Sequence, residues 1–296
     1  MMTLRTARLI PVPLLPLLPL SLLLLLGAGC ASQAPRPAAP ASPVYFSPGQ
    51  LDSLALIEPP PMAGSEADRA DLQAVLDAQR AAHAAGTSAR AVADTVIDCQ
   101  RIAEALSPAN PVQVSAATGA AAAAAALASP DGASAVAFAT RASKQVAGAT
   151  GPPKSFWGRA RPYVGNASVE RLGDVAPDSP LAIGGGHERA HTSYPSGHAA
   201  FAAGCAIVLA LMVPEQSAAL FARARRYGES RLIVGAHYPA DVDAGRRVGT
   251  AAAGVMLQNA RFQADLRKAR TQLRRALGLP PMAPMMAAPA ASMSRM

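Results

Sequence analysis

The 296-residue chain is poor in aromatic residues and in charged residues, which make up 4% and 16% of it. Runs of β-branched and aromatic residues, which favour strands, are also scarce, whereas Ala, Leu and Val recur at helical spacing. These features argue against a strand-rich fold and predict an all-α protein, built as a single compact helical-bundle domain. Inside the chain, no apolar run is long and unbroken enough to span a bilayer.

Cysteine is rare as well, with only Cys30, Cys99 and Cys205. So few cysteines exclude the disulfide framework that holds many small secreted domains together. A single bond between Cys99 and Cys205 is one alternative. A buried free thiol at Cys205, which lies in an apolar helical stretch, is the other.

The charge balance is basic, with 27 Lys and Arg against 19 Asp and Glu and a net charge of +8. A basic protein suits anionic partners such as phosphate esters, nucleotides or anionic lipid surfaces. No run of Lys and Arg is interleaved with aromatic residues, so a dedicated nucleic-acid surface is not expected. The oligomeric state is left open between a monomer and a homo-oligomer.

The first 29 residues carry the signals of export. Arg5 and Arg8 precede a Leu/Pro stretch that ends in "LGAGC", which predicts a signal peptide over residues 1–29. The ending resembles a bacterial lipobox, in which Cys30 becomes the lipid-modified first mature residue. We therefore expect a periplasmic protein, with a lipid anchor to the outer membrane as an alternative to a freely diffusing form.

Beyond the signal peptide, composition divides the chain into a tether, a domain and a tail. Residues 30–44 form a Pro/Ala-rich tether, residues 45–278 the folded domain, and residues 279–296 a disordered tail. Within the domain, residues 150–195 are expected to be mostly loop. Helices are predicted over residues 65–85, 89–106, 115–128, 134–149, 197–213, 214–234, 239–258 and 260–277.

Three blocks of residues carry the candidate chemistry. Lys154 and Arg161 come first, Ser196-Gly197-His198 follow within "PSGH", and Arg231, His237 and Asp241 complete the set. Two arginines and a lysine supply donors for a tetrahedral anion. Free N–H groups of Ser196 and Gly197 at a helix start favour a phosphate, and Gly197 lets the backbone come close to it.

The third block also predicts a nucleophile. His237 and Asp241 are four residues apart, so one helical turn brings the carboxylate near the imidazole. A carboxylate bonded to one ring nitrogen fixes the tautomer and leaves the other nitrogen free to attack. His198 can then donate a proton to the leaving oxygen. This constellation needs no metal ligand and no cofactor.

Taken together, K-x6-RP, PSGH and SR-x5-H-x3-D resemble the signature of the type 2 phosphatidic acid phosphatase superfamily. The stretches "SYPSGH", "GESR", "DVDAGR" and "DSLALIEPPP" resemble the class A bacterial nonspecific acid phosphatases within it. The likeness spans about residues 50 to 270. It implies a helical, metal-independent phosphatase that accepts a broad range of phosphate monoesters.

The resemblance also implies a role for each motif residue. His237 is expected to form a phosphohistidine, Asp241 to orient it, and His198 to protonate the leaving alcohol and later activate water. The phosphoryl oxygens are expected to be bound by Lys154, Arg161, Ser196, Gly197 and Arg231. Gly151-Pro152-Pro153 directly before Lys154 departs from the expected helix and makes the reach of that side chain uncertain.

Other functions fit parts of the same pattern. His187-Glu188-Arg189-Ala190-His191 matches the H-E-x-x-H zinc motif, but the neighbouring glycines and Pro195 leave little room for the helix that this motif needs. Vanadium-dependent haloperoxidases resemble the same three blocks. A lipid or isoprenoid phosphate phosphatase at the membrane surface is the third alternative. The size of the chain and the flanks of the motifs favour an acid phosphatase.

Overall fold

The computed structural model describes residues 42–107, 116–164, 166–173 and 192–282. Within these ranges every regular element is a helix, which confirms the predicted all-α fold. The α-helices are α1 Glu66–Ala84, α2 Ser88–Ala93, α3 Gln100–Ala103, α4 Ala116–Ala128, α5 Pro130–Gly148, α6 Gly151–Trp157, α7 Gly197–Met212, α8 Ser217–Ile233, α9 Pro239–Met256 and α10 Ala260–Ala276. There are also two short 3₁₀ helices: Pro48–Gln50, which precedes α1, and Pro214–Gln216, which lies between α7 and α8.

Helix α7 forms the centre of the core. Its sequence is apolar on every face, as expected for a helix with neighbours all round. It packs against α5, α8 and α9, and most of its side chains are fully buried. Because the motif "PSGH" leads into this helix, the core holds the first turn of α7 in a fixed place.

Two glycines of α9 allow it to approach α7 closely. A Cβ atom at Gly245 would lie 2.2 Å from the carbonyl oxygen of Ser196, and one at Gly249 would lie 2.5 Å from that of Ala200. Both distances are far below van der Waals contact, so any larger residue would push the helices apart. This contact places the start of α9, with Asp241, beside the start of α7.

The helix predicted over residues 89–106 is wrong, because α2 and α3 are separated by residues 94–99. Asp94 ends α2, and its buried carboxylate accepts hydrogen bonds from both terminal nitrogens of Arg223, at 3.0 and 2.5 Å. This ion pair connects the break to α8. A contact between such distant residues outweighs the local helical pattern.

The predicted start of α5 at Ser134 is also wrong. The helix begins at Pro130, and the Ser129 side chain accepts a hydrogen bond from the Gly132 N–H at 3.2 Å. Pro130-Asp131-Gly132 is therefore the first turn of the helix and not a linker before it. A Ser before a Pro is a known start signal, since Pro fits the first helical position.

Part of the predicted 150–195 loop is helical, since α6 covers Gly151–Trp157. Its two prolines lie in the first turn, where their missing N–H groups leave no intrahelical bond unmade. Lys154 therefore projects from a helix.

Cys99 and Cys205 form a disulfide, which settles the alternative left open by the sequence. The bond joins the segment between α2 and α3 to the buried helix α7, with the two Cα atoms 5.5 Å apart. It fixes residues 94–99 against the core.

Among the described residues, no single helix has the length and apolar composition of a membrane span. Residues 119–128 and 130–157 meet that test only as a pair that bends by 78°.

Candidate active site

The three sequence motifs meet at one cavity of about 540 Å³. Ser196 and Asp241, both 0% exposed, lie behind its wall. The six other predicted site residues line it: Lys154, Arg161, Gly197, His198, Arg231 and His237. They come from α6 and the loop after it, the start of α7, the end of α8, and the segment leading into α9.

The geometry around His237 defines its tautomer. Its Nδ1 atom lies 3.4 Å from Oδ2 of Asp241, and its Nε2 atom lies 3.4 Å from Nη1 of Arg161. A guanidinium can only donate hydrogen bonds, so Nε2 is the accepting nitrogen and Nδ1 carries the proton. This arrangement leaves the lone pair of Nε2 next to the cationic side chains of the cavity.

The electrostatic environment keeps His237 neutral and Asp241 ionised. Burial is the main cause that lowers the pKa of His237 to about 3, and the positive charge of Arg161 adds to it. Burial alone would raise the pKa of Asp241. The hydrogen bond from His237, the positive charge of Arg159 and the hydrogen bond from Ser193 outweigh that effect and lower the pKa to about 2.

Arg159, which no sequence motif predicts as a site residue, holds the Asp241 carboxylate. Its Nη1 donates to Oδ1 of Asp241 at 2.8 Å, and its Nη2 donates to Asp68 and Asp71 at 3.0 and 2.9 Å. The guanidinium also lies 3.9 Å from the centre of the Tyr238 ring. Arg159 is only 8% exposed, so it links α1 to the active site within the protein interior.

Two further donors complete the shell around Asp241. Oδ2 accepts a short hydrogen bond from the Ser193 hydroxyl and a bond of 2.9 Å from the Tyr238 N–H. All of these donors serve to fix the carboxylate rather than to touch a ligand. Ser193 lies three residues before Ser196 in the motif region, but nothing in that spacing predicts its partner.

Lys154 reaches across the cavity to the segment before α7. Its Nζ atom donates to the carbonyl oxygen of Thr192 at 2.6 Å and, more weakly, to that of Ser193 at 3.4 Å. Burial, followed by the charge of Arg161, lowers the pKa of Lys154 to about 7. The uncertainty about its reach is thus resolved, because α6 directs it into the site.

The residues after α2 hold two other site residues in place. The Nη1 atom of Arg231 donates to the Asp94 carbonyl at 3.2 Å, and Nε2 of His198 donates to the Thr95 carbonyl at 3.2 Å. The pKa of His198 is lowered well below its ordinary range by burial and by Arg231. Arg231 is 1% exposed, and its Nε–H has no partner within the described part of the protein.

The prediction of a free N–H at Ser196 is wrong. That group donates to the carbonyl oxygen of Asp241 at 2.8 Å, and the Ser196 hydroxyl caps α7 by accepting from the Ala199 N–H at 3.2 Å. Ser196 therefore joins the starts of α7 and α9 from behind the cavity. The N–H groups of Gly197 and His198 lie in the first helical turn, where helix geometry offers no carbonyl partner.

Gly197 lines the cavity, but the protein packing around it leaves room for a side chain. A Cβ atom there would lie 3.5 Å from Oγ1 of Thr150 and 3.9 Å from Cε of Lys154, which are ordinary contact distances. Any need for glycine at this position must therefore come from a ligand.

Several predictions fall on residues that the structure does not describe. These are the H-E-x-x-H segment from His187 to His191, the signal peptide, and the lipidation site Cys30. Within the described ranges, no group of three or more His, Cys, Asp or Glu residues is arranged to hold a metal ion.

Comparison with known proteins agrees with the motif pattern. The PAP2 superfamily model matches residues 132–264, which include every predicted catalytic and phosphate-binding residue. The non-specific acid phosphatase of Salmonella typhimurium is 35% identical over 125 residues, which cover 42% of this chain and 46% of that protein. The acid phosphatase of Zymomonas mobilis is 30% identical over 128 residues, which cover 43% and 44%.

A third relative, the non-specific acid phosphatase of Providencia stuartii, is 40% identical over 80 residues, 27% of this chain and 32% of that protein. The chain thus spans less than half the length of these curated relatives. The resemblance drawn from the three motifs is nevertheless confirmed: the helical region that carries the site, residues 132–264, matches the PAP2 superfamily model.

Proposed function

We propose that this protein hydrolyses phosphate monoesters through a phosphohistidine intermediate on His237, without a metal. One observation carries the proposal: the unprotonated Nε2 of a buried, neutral histidine lies beside a cavity lined by Lys154, Arg161 and Arg231. A nucleophile surrounded by cations suits a substrate that is itself an anion. The similarity to proteins named acid phosphatases supports the same reading.

In the first step, Nε2 of His237 attacks phosphorus and the bond from phosphorus to the leaving oxygen breaks. The proton on Nδ1 stays beside Asp241, which stabilises the positive charge that develops on the ring. Once the phosphate dianion is bound, His198 is protonated on both ring nitrogens, and it gives one of these protons to the leaving oxygen, so the alcohol departs neutral. Because Nε2–H of His198 is held by the Thr95 carbonyl, Nδ1 is the nitrogen left for this transfer.

In the second step, water attacks the phosphohistidine and the phosphorus–nitrogen bond breaks. His198 takes a proton from that water, which restores its starting form. Inorganic phosphate leaves, and Nε2 of His237 regains its lone pair. The sum of the two steps is the hydrolysis of one ester by one water molecule.

The cations and the helix start would bind the three phosphoryl oxygens. Arg161 and Arg231 present planar groups of donors, and Lys154 presents a point charge. The unpaired Nε–H of Arg231 is a buried donor that an oxyanion can satisfy. The N–H groups of Gly197 and His198 add the positive end of α7. Phosphoryl transfer needs mainly such positioning and charge neutralisation.

The decisive experiment is rapid quenching under alkaline conditions with a ³²P-labelled aryl phosphate in the presence of chelator. We expect acid-labile label on His237, and we expect His237→Ala to lose both the label and turnover. Thr250→Ala, in the exposed middle of α9, is the matched control and should keep both. Label on a serine, or turnover by His237→Ala, would contradict the proposal.

We also propose that residues 1–29 direct export and that Cys30 carries a lipid, on the sequence pattern alone. Metabolic labelling with a fatty acid should mark the wild-type chain and not Cys30→Ser. Labelling of both forms, or of neither, would contradict the lipid anchor. A lipid anchor would place the site near a membrane.

A further inference from the structure

Helix α1 supplies a buried carboxylate next to the active site. Asp71, in the first half of this helix, has a side chain that is only 11% exposed. It precedes residues 132–264, the part of the chain that matches the PAP2 superfamily model, and belongs to none of the three motifs. Asp71 does not line the cavity, so a bound substrate would not touch it. A role of Asp71 in the reaction would therefore have to act through other residues.

One oxygen of Asp71 binds the arginine that holds Asp241. Oδ2 of Asp71 accepts a hydrogen bond from Nη2 of Arg159 at 2.9 Å, and Nη1 of the same guanidinium donates to Oδ1 of Asp241 at 2.8 Å. Arg159 thus lies between two carboxylates and binds each through a different nitrogen. Because the donors of a guanidinium form a rigid fork, a partner at each terminal nitrogen fixes its orientation. The position of Asp71 therefore helps to set the position of the Asp241 carboxylate.

The other oxygen of Asp71 binds the start of α9. Oδ1 accepts a hydrogen bond from the Ala240 N–H at 3.3 Å. The first N–H groups of a helix have no partner within it, and a side-chain oxygen of the residue before the helix often accepts from one of them. Here that residue is Tyr238, whose hydroxyl is at the far end of the ring and makes no capping hydrogen bond. A carboxylate from α1 caps α9 instead, and its negative charge suits the positive end of that helix.

Both contacts of Asp71 lead to the residue that orients the proposed nucleophile. Ala240 directly precedes Asp241, and Oδ2 of Asp241 lies 3.4 Å from Nδ1 of His237. The contact to Ala240 holds the main chain where it enters α9, and the contact to Arg159 holds the Asp241 carboxylate. The main chain and the side chain of the orienting residue are thus tied to α1 through one aspartate.

Asp68, one turn earlier on α1, shares only one of these two contacts. Its Oδ1 accepts from Nη2 of Arg159 at 3.0 Å, and its Oδ2 accepts from the Gly64 N–H at 3.0 Å. Its side chain is 27% exposed, and within the described part of the chain it makes no hydrogen bond to α9. Asp68 therefore allows the contribution of the Arg159 contact to be separated from that of the contact to α9.

We propose that Asp71 is a positioning residue for the reaction at His237. It fixes Arg159 and the start of α9, and so keeps the Asp241 carboxylate within reach of Nδ1 of His237. The proton then stays on Nδ1, and Nε2 keeps its lone pair for attack on phosphorus. This inference rests on the proposed function, because it takes His237 as the nucleophile.

The variant Asp71→Asn tests this role. Asparagine has nearly the same size but no charge and a single oxygen, so it cannot bind both partners as two carboxylate oxygens do. In single-turnover experiments with an aryl phosphate, we expect the rate of His237 labelling to fall about tenfold, as if the productive geometry were present for a tenth of the time. Calorimetry should show that inorganic phosphate binds within about twofold of wild type, because Asp71 lies outside the cavity. Asp71→Ser, with a smaller uncharged side chain, is the second variant and carries the same expectations.

Two other aspartates of α1 serve as controls. Asp77→Asn removes an exposed carboxylate that pairs with Arg80, and it should label at the wild-type rate. Asp68→Asn should lose less of the labelling rate than Asp71→Asn, because it leaves the cap of α9 in place. Equal losses in these two variants would show that the contact to α9 contributes nothing, and would overturn the bridging role of Asp71. A wild-type labelling rate in Asp71→Asn overturns the proposal outright.

Nitrogen-15 NMR of the imidazole rings keeps this test separate from that of the proposed reaction. In the wild-type protein, the signals assigned to His237 by their loss in His237→Asn should show a protonated Nδ1 and an unprotonated Nε2. In folded Asp71→Asn we expect these signals to shift towards the other tautomer, and in Asp77→Asn to stay unchanged. If no phosphohistidine forms in any variant but the tautomer shifts, the proposed function fails and the positioning of His237 by Asp71 stands. An unchanged tautomer in Asp71→Asn contradicts that positioning, whether or not phosphate esters are hydrolysed.

Discussion

Replacement of Arg159 by Met should destabilise the protein and disturb its active site together. Arg159 donates to Asp68, Asp71 and Asp241 at 3.0, 2.9 and 2.8 Å from a position that is 8% exposed. Methionine has a similar length but no charge and no donor. The substitution would leave the buried Asp241 carboxylate without its main cationic partner.

The size of the effect follows from burial. Removing one partner of a buried ion pair costs about 3–5 kcal/mol, because the other charge is left without compensation. For a domain of this size, each kcal/mol lowers Tm by about 2–4 °C, so we expect a decrease of roughly 10 °C. Arg159 is also one of the groups that lower the pKa of Asp241. The acid limb of kcat/KM should therefore move to higher pH in Arg159→Met.

Thermal unfolding followed by circular dichroism and a pH–rate profile measure both effects. The matched control is Arg246→Met on α9, where an exposed arginine pairs with Asp243 at 2.6 Å. An exposed pair contributes at most about 1 kcal/mol, so this variant should resemble wild type in both assays. The reasoning about Arg159 is refuted if Arg159→Met melts within about 2 °C of wild type and keeps its acid limb.

Three other expectations concern pH, ligand space and the disulfide. The folded-state pKa of His237, about 3, lies below its ordinary 6.5, so the unfolded chain binds more protons between these values. Stability should thus be complete above about pH 6.5 and fall on acidification by up to about 1.4 kcal/mol per pH unit, with a shallower fall for His237→Asn in urea titrations. Gly197→Ala should keep the wild-type Tm but lower kcat/KM, since its Cβ contacts are ordinary and only a bound phosphate would be crowded; a normal rate would contradict phosphate binding there. Cys99→Ser/Cys205→Ser opens a link between residues 106 apart and should lower the free energy of unfolding by about 2–4 kcal/mol; an unchanged denaturation midpoint would show that the bond is dispensable.

The sequence predicts most of the helices because their signals are local. Ser65, where the first predicted helix begins, caps α1 by accepting a hydrogen bond from the Asp68 N–H. The predicted helix over 115–128 and the one beginning at Gly197 agree with the structure to within one residue at each end. The break between α2 and α3 could not be predicted in this way, because it depends on Asp94 pairing with Arg223, 129 residues away.

In the candidate site, too, some residues could be predicted from local sequence and others depend on distant contacts. The motif residues that line the cavity could be named from the sequence, since their types and spacing carry the chemistry. The groups that hold them could not be named. Arg159 stands two residues before Arg161 in the same motif, yet its partners Asp68 and Asp71 belong to a helix about 90 residues earlier. No sequence spacing connects them, because only the packing of α1 against the site brings them together.

Charge within the cavity also affects the protonation of the residues proposed to take part in the reaction. Burial and the charge of Arg161 both contribute to the lowered pKa values of Lys154, His198 and His237. A phosphate dianion bound among these groups would oppose the effect of Arg161 and raise all three pKa values. Lys154 would then become fully charged, and His198 could hold the proton that the leaving oxygen needs. Because kcat/KM reports the free protein and kcat the complex, the basic limb of kcat should lie at higher pH than that of kcat/KM. Coincident limbs in the two profiles would mean that the substrate does not change the protonation of these groups, and that the proton for the leaving alcohol comes from elsewhere.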